Sequence, residues 1–223
     1  MPVAQAERGA PAQDITMYEG VTAATAHEGM GRRGAMDSAI KPIRQGMTIL
    51  GRAYTCQCHP GDNLTLHAAL KLAQPGDVIV CDAGGFTEQG LFGDVMASCA
   101  VGRQIVGLVV DGGVRDSSTI HKIGFPVFSR SISVKGTVKE TFGTLNQPVA
   151  VGGVTVHPGD LIIGDDDGVV VVPKDEIESL AEICKTREEK EVRFREALIT
   201  GKTTWDMLNL DALVKAKGIR LDI

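Results

Sequence analysis

The sequence predicts an α/β fold: a single layered domain with a parallel βαβ unit, further antiparallel strands and a C-terminal helical tail. Three observations predict it. Two short β-branched runs, VIVCD at residues 78–82 and IVGLVV at 105–110, read as fully buried strands. The segment between them carries an apolar face at helical spacing, so the two strands run parallel through a right-handed crossover, since an antiparallel pair needs no connection of that length. After residue 149 come short valine-rich runs broken by Gly, Pro and Asp, the pattern of antiparallel hairpins.

The N-terminal stretch MPVAQAERGAPAQD has an acidic residue and no apolar run, so it reads as a flexible arm and not as a secretory signal. Residues 15–31, punctuated by Gly20, Gly29 and Gly31, predict a short helix and a loop. Residues 49–58 predict a strand on which Tyr54, Cys56 and Cys58 share one face. Cys-Gln-Cys-His is half of a soft-metal site, but no second Cys/His pair exists to complete a tetrahedral zinc shell, and packing is the better reading. Pro60-Gly61-Asp62-Asn63 is a turn with capping residues ahead of a helix at 64–73, in which Leu64, Ala68 and Leu72 recur at helical spacing. His67, beside that stripe and without a partner four residues on, reads as a packed or hydrogen-bonded histidine.

The strand at 78–82 is bounded by Pro75-Gly76-Asp77 and Gly84-Gly85. Asp94 suits a helix N-cap, and Val95, Met96, Cys99 and Ala100 give the following helix its apolar face, ending at Gly102. The strand at 105–110 leads to Arg115-Asp116 and a helix at 117–122. Residues 126–133 predict another strand and 135–142 a loop rich in Gly and Thr. A Schiff-base mechanism needs a lysine in apolar surroundings; Lys135 and Lys139 lie in no such run and read as surface lysines.

Strands at 149–156, 161–164 and 169–172 follow, with turns at His157-Pro158-Gly159-Asp160 and Asp165-Asp166-Asp167-Gly168. The aspartates of the second turn lack the alternate spacing and closing Glu of a calcium loop and read as a solvated turn. Residues 173–200 predict a charged helix with Asp175 and Glu176 in its first turn and Ile177, Leu180, Ile183 and Cys184 along one face. Its second half, TREEKEVRFREAL, is polar nearly all round and frays without a neighbour.

At 223 residues the chain suffices for one substantial core. Its net charge of −5, with acidic and basic residues interspersed, leaves no footprint for nucleic acid or an anionic membrane. The longest apolar runs fall far short of a membrane span. Five cysteines, an odd number spread over core elements, favour reduced thiols in a cytoplasm over a disulfide framework.

Spacing then becomes chemistry. The loops after two adjacent parallel strands lie at the same carboxyl edge, where open α/β sheets bind ligands. A helix of roughly ten residues descends about 15 Å and a strand of roughly six climbs back about 20 Å. The twenty residues between Asp94 and Arg115 therefore return the chain to its starting level. Two carboxylates, Asp94 and Asp116, and one guanidinium, Arg115, then face one crevice, with helix N-terminal amides near enough to receive an anion. Carboxylates suit Mg²⁺ or Mn²⁺, and Arg suits a bidentate carboxylate or an enolate oxygen. Spacing alone supports the plainer reading equally: Asp94 caps its helix, Asp116 caps the next, and Arg115 pairs with either.

The pattern Asp94, twenty residues, Arg115-Asp116 resembles the signature of the class II pyruvate aldolases that cleave 4-hydroxy-4-methyl-2-oxoglutarate and 4-carboxy-4-hydroxy-2-oxoadipate. The resemblance extends through Gly61-Asp62-Asn63, Pro75-Gly76-Asp77-Val78, Phe92-Gly93-Asp94, Gly159-Asp160, Gly164-Asp165 and GVVVVP at 168–173, and covers about residues 15–215. It implies a layered swivelling β/β/α-like domain at 15–173, after an arm at 1–14, with an oligomerisation tail at 174–223. It implies homotrimers or homohexamers, retro-aldol release of pyruvate in aromatic catabolism, and secondary oxaloacetate decarboxylation. Under that resemblance Asp116 ligates Mg²⁺ or Mn²⁺ directly, Asp94 acts through metal-bound water, and Arg115 stabilises the keto or enolate oxygen. Gly90, Leu91, Phe92 and Gly93 bind substrate, with the amides around Leu91 to Asp94 holding its carboxylate, and a tail glutamate, Glu191 or next Glu188, arrives from a neighbouring subunit. No side chain is an obvious base for the C4 hydroxyl, which leaves metal-bound water as the candidate. The same superfamily contains non-catalytic regulators that bind ribonuclease E; they look shorter and lack the aspartate after the arginine. Methyltransferase chemistry would need a glycine loop after the first strand, for which Ala83-Gly84-Gly85 is a weak match.

Overall fold

A computed structural model describes residues 14–219. Of the expected arm, all but Asp14 lies outside the described residues. Contacts divide the chain after Ala181.

The first unit begins with a 3₁₀ turn at Thr16–Tyr18 and α1 (Ala23–Gly29), followed by β1 (Lys41–Pro42), β2 (Ile49–Gln57), α2 (Leu64–Leu72), β3 (Asp77–Gly90), α3 (Asp94–Gly102) and β4 (Gly107–Val114). Next come α4 (Ser117–Ile123), β5 (Val127–Ile132), β6 (Thr144–Leu145), β7 (Val149–Val151), β8 (Val154–Val156), β9 (Leu161–Asp165) and β10 (Gly168–Val172). Among the described residues one eight-stranded sheet has the order β1-β5-β4-β3-β2-β9-β10, with β6 paired to the end of β2. Strands β2 to β5 are parallel and adjacent in chain order. Their three crossovers share one hand, so α2, α3 and α4 cover one face, and α3 touches both α2 and α4. The short β7–β8 ribbon packs against β2 and β3. Its turn is tied to β4 where the Gly152 N–H donates to Asp111 Oδ2 at 2.8 Å. The mixed α/β expectation, with a parallel βαβ core and later antiparallel strands, is therefore observed.

The core lies between sheet and helices. Val78, Val80, Cys81, Val109, Val110, Val127 and Phe128 are wholly buried, which is why those strands read as continuous apolar runs.

Several boundaries differ from expectation. Gly84-Gly85 does not end β3. The strand's pairing with β4 shifts register between Asp82 and Phe86 and again before Gly90, and both glycines hold left-handed φ, so the pair marks a bulge inside a longer strand. Residues 149–156 are two strands, because Gly152 (φ 57°) and Gly153 (φ 77°) form the tight turn of a hairpin. On α2 the buried residues are Thr65, Leu66, Ala69 and Leu70, with Leu64, Ala68 and Leu72 half-buried beside them. Val95 and Cys99 on α3 are exposed, and Met96, Ala97 and Ala100 face the core. The acidic turn is not simply solvated: Asp165 Oδ2 accepts the Ala23 N–H at 2.8 Å and Asp166 Oδ1 the Gly46 N–H at 2.7 Å.

The tail begins with α5 (Ile177–Ile199), on which Ile177, Leu180 and Cys184 of the expected face are buried while Ile183 is exposed. The second unit, 182–223, continues with α6 (Thr204–Met207) and α7 (Leu210–Ala216). Thr203 and Asp206 form a reciprocal capping box at the head of α6. No helix among the described residues is long and apolar enough to cross a membrane.

Candidate functional site

Strands β3 and β4 run side by side to the same carboxyl edge, with Gly90 level with Gly113. The loops that leave them are consequently neighbours. Each is fastened to the other by main-chain bonds: the Leu91 N–H donates to Gly113 O at 2.8 Å, and the Arg115 N–H to Phe92 O at 2.9 Å. The side chains of Leu91 and Phe92 are wholly buried, Phe92 stacking on Phe125 at 5.7 Å between ring centroids. Their presence at the edge is thus a backbone presence.

Gly93 and not Asp94 occupies the N-cap of α3. Asp94 is the first helical residue, and its Oδ1 accepts the N–H of Val95 at 2.8 Å. Asp116 stands at the N-cap position of α4, yet its side chain accepts no capping bond and its backbone is left-handed (φ 56°, ψ 30°). The carboxylate turns instead to Arg115, with Nε and Oδ2 3.3 Å apart. Both side chains remain open to solvent, at 47% and 38% exposure. A Cβ on Gly93 would lie 2.5 Å from Asp116 Oδ2 and 3.1 Å from Arg115 Nε. A Cβ on Gly90 would lie 2.7 Å from that of Arg115. Gly90 is needed for room, since a Cβ there would also meet the Ser133 carbonyl at 2.6 Å, whereas at Gly93 the Asp116 and Arg115 side chains would have to shift; the spacing argument's juxtaposition of the two loops is realised.

Not every expected anion donor is free. The Gly90 N–H donates to Lys135 O at 2.9 Å and that of Leu91 to Gly113, so neither can serve a ligand. The N–H groups of Phe92, Gly93 and Asp94 take no protein acceptor among the described residues. They open the nine-residue α3 and leave its positive end available to an anion. Glu191 lies on α5 between Arg187 Nη2, at 3.9 Å, and Arg195 Nη1, at 3.4 Å, one helical turn to either side. Lys135 is an exposed lysine bound to Glu88 at 2.5 Å.

Sequence reasoning missed Asn63. Read as a cap, it makes no side-chain cap bond. It reaches across to donate Nδ2 to Leu91 O at 2.8 Å, and its Oδ1 is buried with no partner among the described residues. The adjacent Asp62 accepts the N–H groups of Leu64, Glu140 and Thr141. Burial raises the Asp62 carboxyl, but those three amides outweigh it and hold it below the usual carboxylate range. Asp62 and Asn63 together brace the edge from the α2 side. Their proximity in sequence to a turn concealed a role set by distant partners.

Two other features compete for attention. A cleft of about 490 Å³ is lined by Met30, Arg33, Gly34, His157, Asp160 and Lys174 among others, and contains none of the loop residues. The buried Asp160 carboxyl there, raised by burial, is occupied by the N–H groups of His157 and Lys174. The loops, by contrast, bring the Asp116 carboxylate, the Arg115 guanidinium and uncommitted amides to one edge. The second feature is a trio of buried thiols. Cys56 and Cys58 are joined by Cys81 of β3, which the sequence offered only as part of a buried strand.

Comparisons with known proteins assign the fold and the family. The RraA-like profile, described as aldolase/RraA, matches residues 22–171. A Halalkalibacterium halodurans protein provisionally named 4-hydroxy-4-methyl-2-oxoglutarate aldolase is 39% identical over 153 residues, covering 69% of this chain and 73% of that protein. An uncharacterized protein from Pseudomonas syringae pv. tomato superposes with a TM-score of 0.77 at 27% identity, over 85% of this chain and 89% of that one. Streptomyces coelicolor RraAS2, described as an unusual member of the RNase ES inhibitor RraA protein family, superposes with a TM-score of 0.73 at 30% identity, over 82% of this chain and 96% of its own. With the profile spanning both site loops and all of the sheet but its last residue, the chain belongs to the RraA-like aldolase/RraA family.

Proposed function

We propose that this protein is a divalent-metal-dependent class II pyruvate aldolase. Its substrate would be 4-hydroxy-4-methyl-2-oxoglutarate, 4-carboxy-4-hydroxy-2-oxoadipate or both, cleaved to pyruvate and a second 2-oxo acid. The observation that carries the reading is the convergence of Arg115, Asp116 and Asp94 on a helix N-terminus with three uncommitted amides. The names carried by relatives in Halalkalibacterium halodurans and Ectopseudomonas mendocina support the same activity.

The substrate's C1 carboxylate docks on the Phe92, Gly93 and Asp94 amides, where the helix end favours negative charge. Arg115 releases its exposed, weakly held pairing with Asp116 and turns its planar fork to the C2 oxygen. That oxygen gains charge as the C3–C4 bond breaks, so the guanidinium binds the transition state more strongly than the ketone. The donor set fits a hard cation in its chemistry: Asp116 is not spent on capping and is partly exposed beside Arg115, and Asp94 opens α3 next to Gly93. Asp116 would hold Mg²⁺ or Mn²⁺ directly and Asp94 through water, with Glu191 of the partner subunit as a third carboxylate. The cation, when bound, supplies Lewis acidity toward the enolate. Oxaloacetate decarboxylation, which leaves the same enolate, is the expected side activity. The assembly would be a homotrimer or homohexamer in the cytoplasm, serving aromatic catabolism.

The test is a pyruvate-release assay over both hydroxy-oxo acids with Mg²⁺, Mn²⁺ or chelator. Metal-dependent release from at least one acid is expected, and no release from either would refute the proposal. Likeness to RraAS2 favours a second reading, a non-catalytic ribonuclease-binding regulator. Asp116 beside Arg115 argues against it, and ribonuclease inhibition without pyruvate release would support it.

A further inference from the structure

Cys56 is level with Cys81 across the parallel β2–β3 pair, so their side chains share one face of the sheet. Cys58, two residues beyond Cys56, returns to that face. The three sulfurs lie within 4.8 Å of one another, Cys58 Sγ to Cys81 Sγ being 3.6 Å. Cys56 and Cys81 are wholly buried and Cys58 is 4% exposed. No fourth His, Cys, Asp or Glu donor joins them among the described residues. Cys58 is the one sulfur-bearing residue of the three with any exposure, and it lies where β2 has just ended.

A metal–sulfur bond of about 2.3 Å places three sulfurs in a trigonal plane about 4.0 Å apart. The Cys58–Cys81 pair, at 3.6 Å, lies just inside that figure, and no pair is farther apart than 4.8 Å. We propose that Cys56, Cys58 and Cys81 form a closed, three-coordinate site for a thiophilic d¹⁰ cation, Cu(I) above all. Zn²⁺ is disfavoured because a closed zinc site takes four ligands and the described residues supply three. Cu(I) accepts an all-thiolate, low-coordinate shell. Each ligating sulfur gives its proton to solvent on binding, and the monovalent cation offsets one of the three thiolate charges that result. Access runs through Cys58, where β2 gives way to the turn at residues 59–63.

The test is an anaerobic titration of the full-length reduced protein with Cu(I) against a chromophoric Cu(I) chelator. One equivalent should be withheld from the chelator, with the luminescence of a water-shielded cuprous thiolate. Copper-edge X-ray absorption on the loaded wild type should show three sulfur scatterers and no nitrogen or oxygen. Cys58→Ser should weaken binding by at least ~10-fold, and Cys99→Ser, at an exposed thiol outside the cluster, should change nothing. Failure to withhold copper, a shell with two sulfurs or with nitrogen or oxygen, or Cys58→Ser binding as tightly as wild type would each overturn the assignment. The scattering measurement needs no variant, so misfolding of one cannot obscure the result.

Discussion

Asp116 keeps a left-handed backbone at the head of α4 while its carboxylate ignores the helix amides beside it. That conformation costs an ordinary residue about 1–2 kcal/mol, a cost a purely capping residue would not need to bear. Asn tolerates the same backbone and has nearly the same shape. Asp116→Asn should therefore leave the thermal transition unchanged while lowering turnover by at least ~100-fold; near-normal turnover at saturating Mg²⁺ would return Asp116 to a structural role. Gly93 separates space from conformation, since its extended backbone (φ −133°, ψ −174°) suits any residue while the room for a Cβ is taken by Asp116 and Arg115. Those side chains can move, so Gly93→Ala should cost about 1 kcal/mol or less in stability and ~10-fold or more in kcat/KM. Denaturant melts and steady-state kinetics on one preparation compare the two. The meeting of the two loops was legible in sequence because a parallel βαβ unit fixes where they emerge. The loss of Leu91 as an anion donor was not legible, because it depends on the register that brings Gly113 O opposite.

At the level of elements, the strand and helix order is readable from buried apolar runs, whereas their ends are not. Gly84-Gly85 looks like a terminus because glycine marks bulges and boundaries alike, and only pairing with β4 distinguishes them. The stripe on α2 is misplaced by one residue for a related reason: Thr65 is buried as a hydrogen-bond acceptor for the Gly143 N–H, so an apolar count passes over it. Asp62 makes a prediction at this scale. Three amides from two segments hold its charged form, so its folded pKa lies below the ordinary 3.8. A depressed carboxyl stabilises the fold above the unfolded value and loses that contribution as pH falls through the folded value. Wild type should therefore lose stability on acidification below about pH 4 more steeply than Asp62→Asn. Hydrogen exchange should show the amides of Glu140 and Thr141 less protected in the variant; equal protection would remove Asp62 from the bracing of that loop.

For the whole molecule, the charged second half of α5 is the segment that sequence reading leaves without a partner, and its proposed neighbour is another subunit. Truncation after Thr186 should abolish the proposed trimer or hexamer by light scattering and reduce activity together with it; an unchanged, fully active oligomer would contradict that role. The proposed chemistry has its sharpest test in oxaloacetate, whose decarboxylation leaves the pyruvate enolate that retro-aldol cleavage also leaves. A site that acts by holding that enolate should catalyse both reactions. The measurement is oxaloacetate decarboxylation by the pure, Mg²⁺-loaded protein, beside the same free metal, chelator-treated protein and Arg115→Ala. The expected result is a rate well above the free-metal background, abolished by chelator and by Arg115→Ala, with no inactivation by borohydride in the presence of pyruvate. A rate equal to background, or borohydride inactivation pointing to a lysine Schiff base at Lys135 or Lys139, would contradict it.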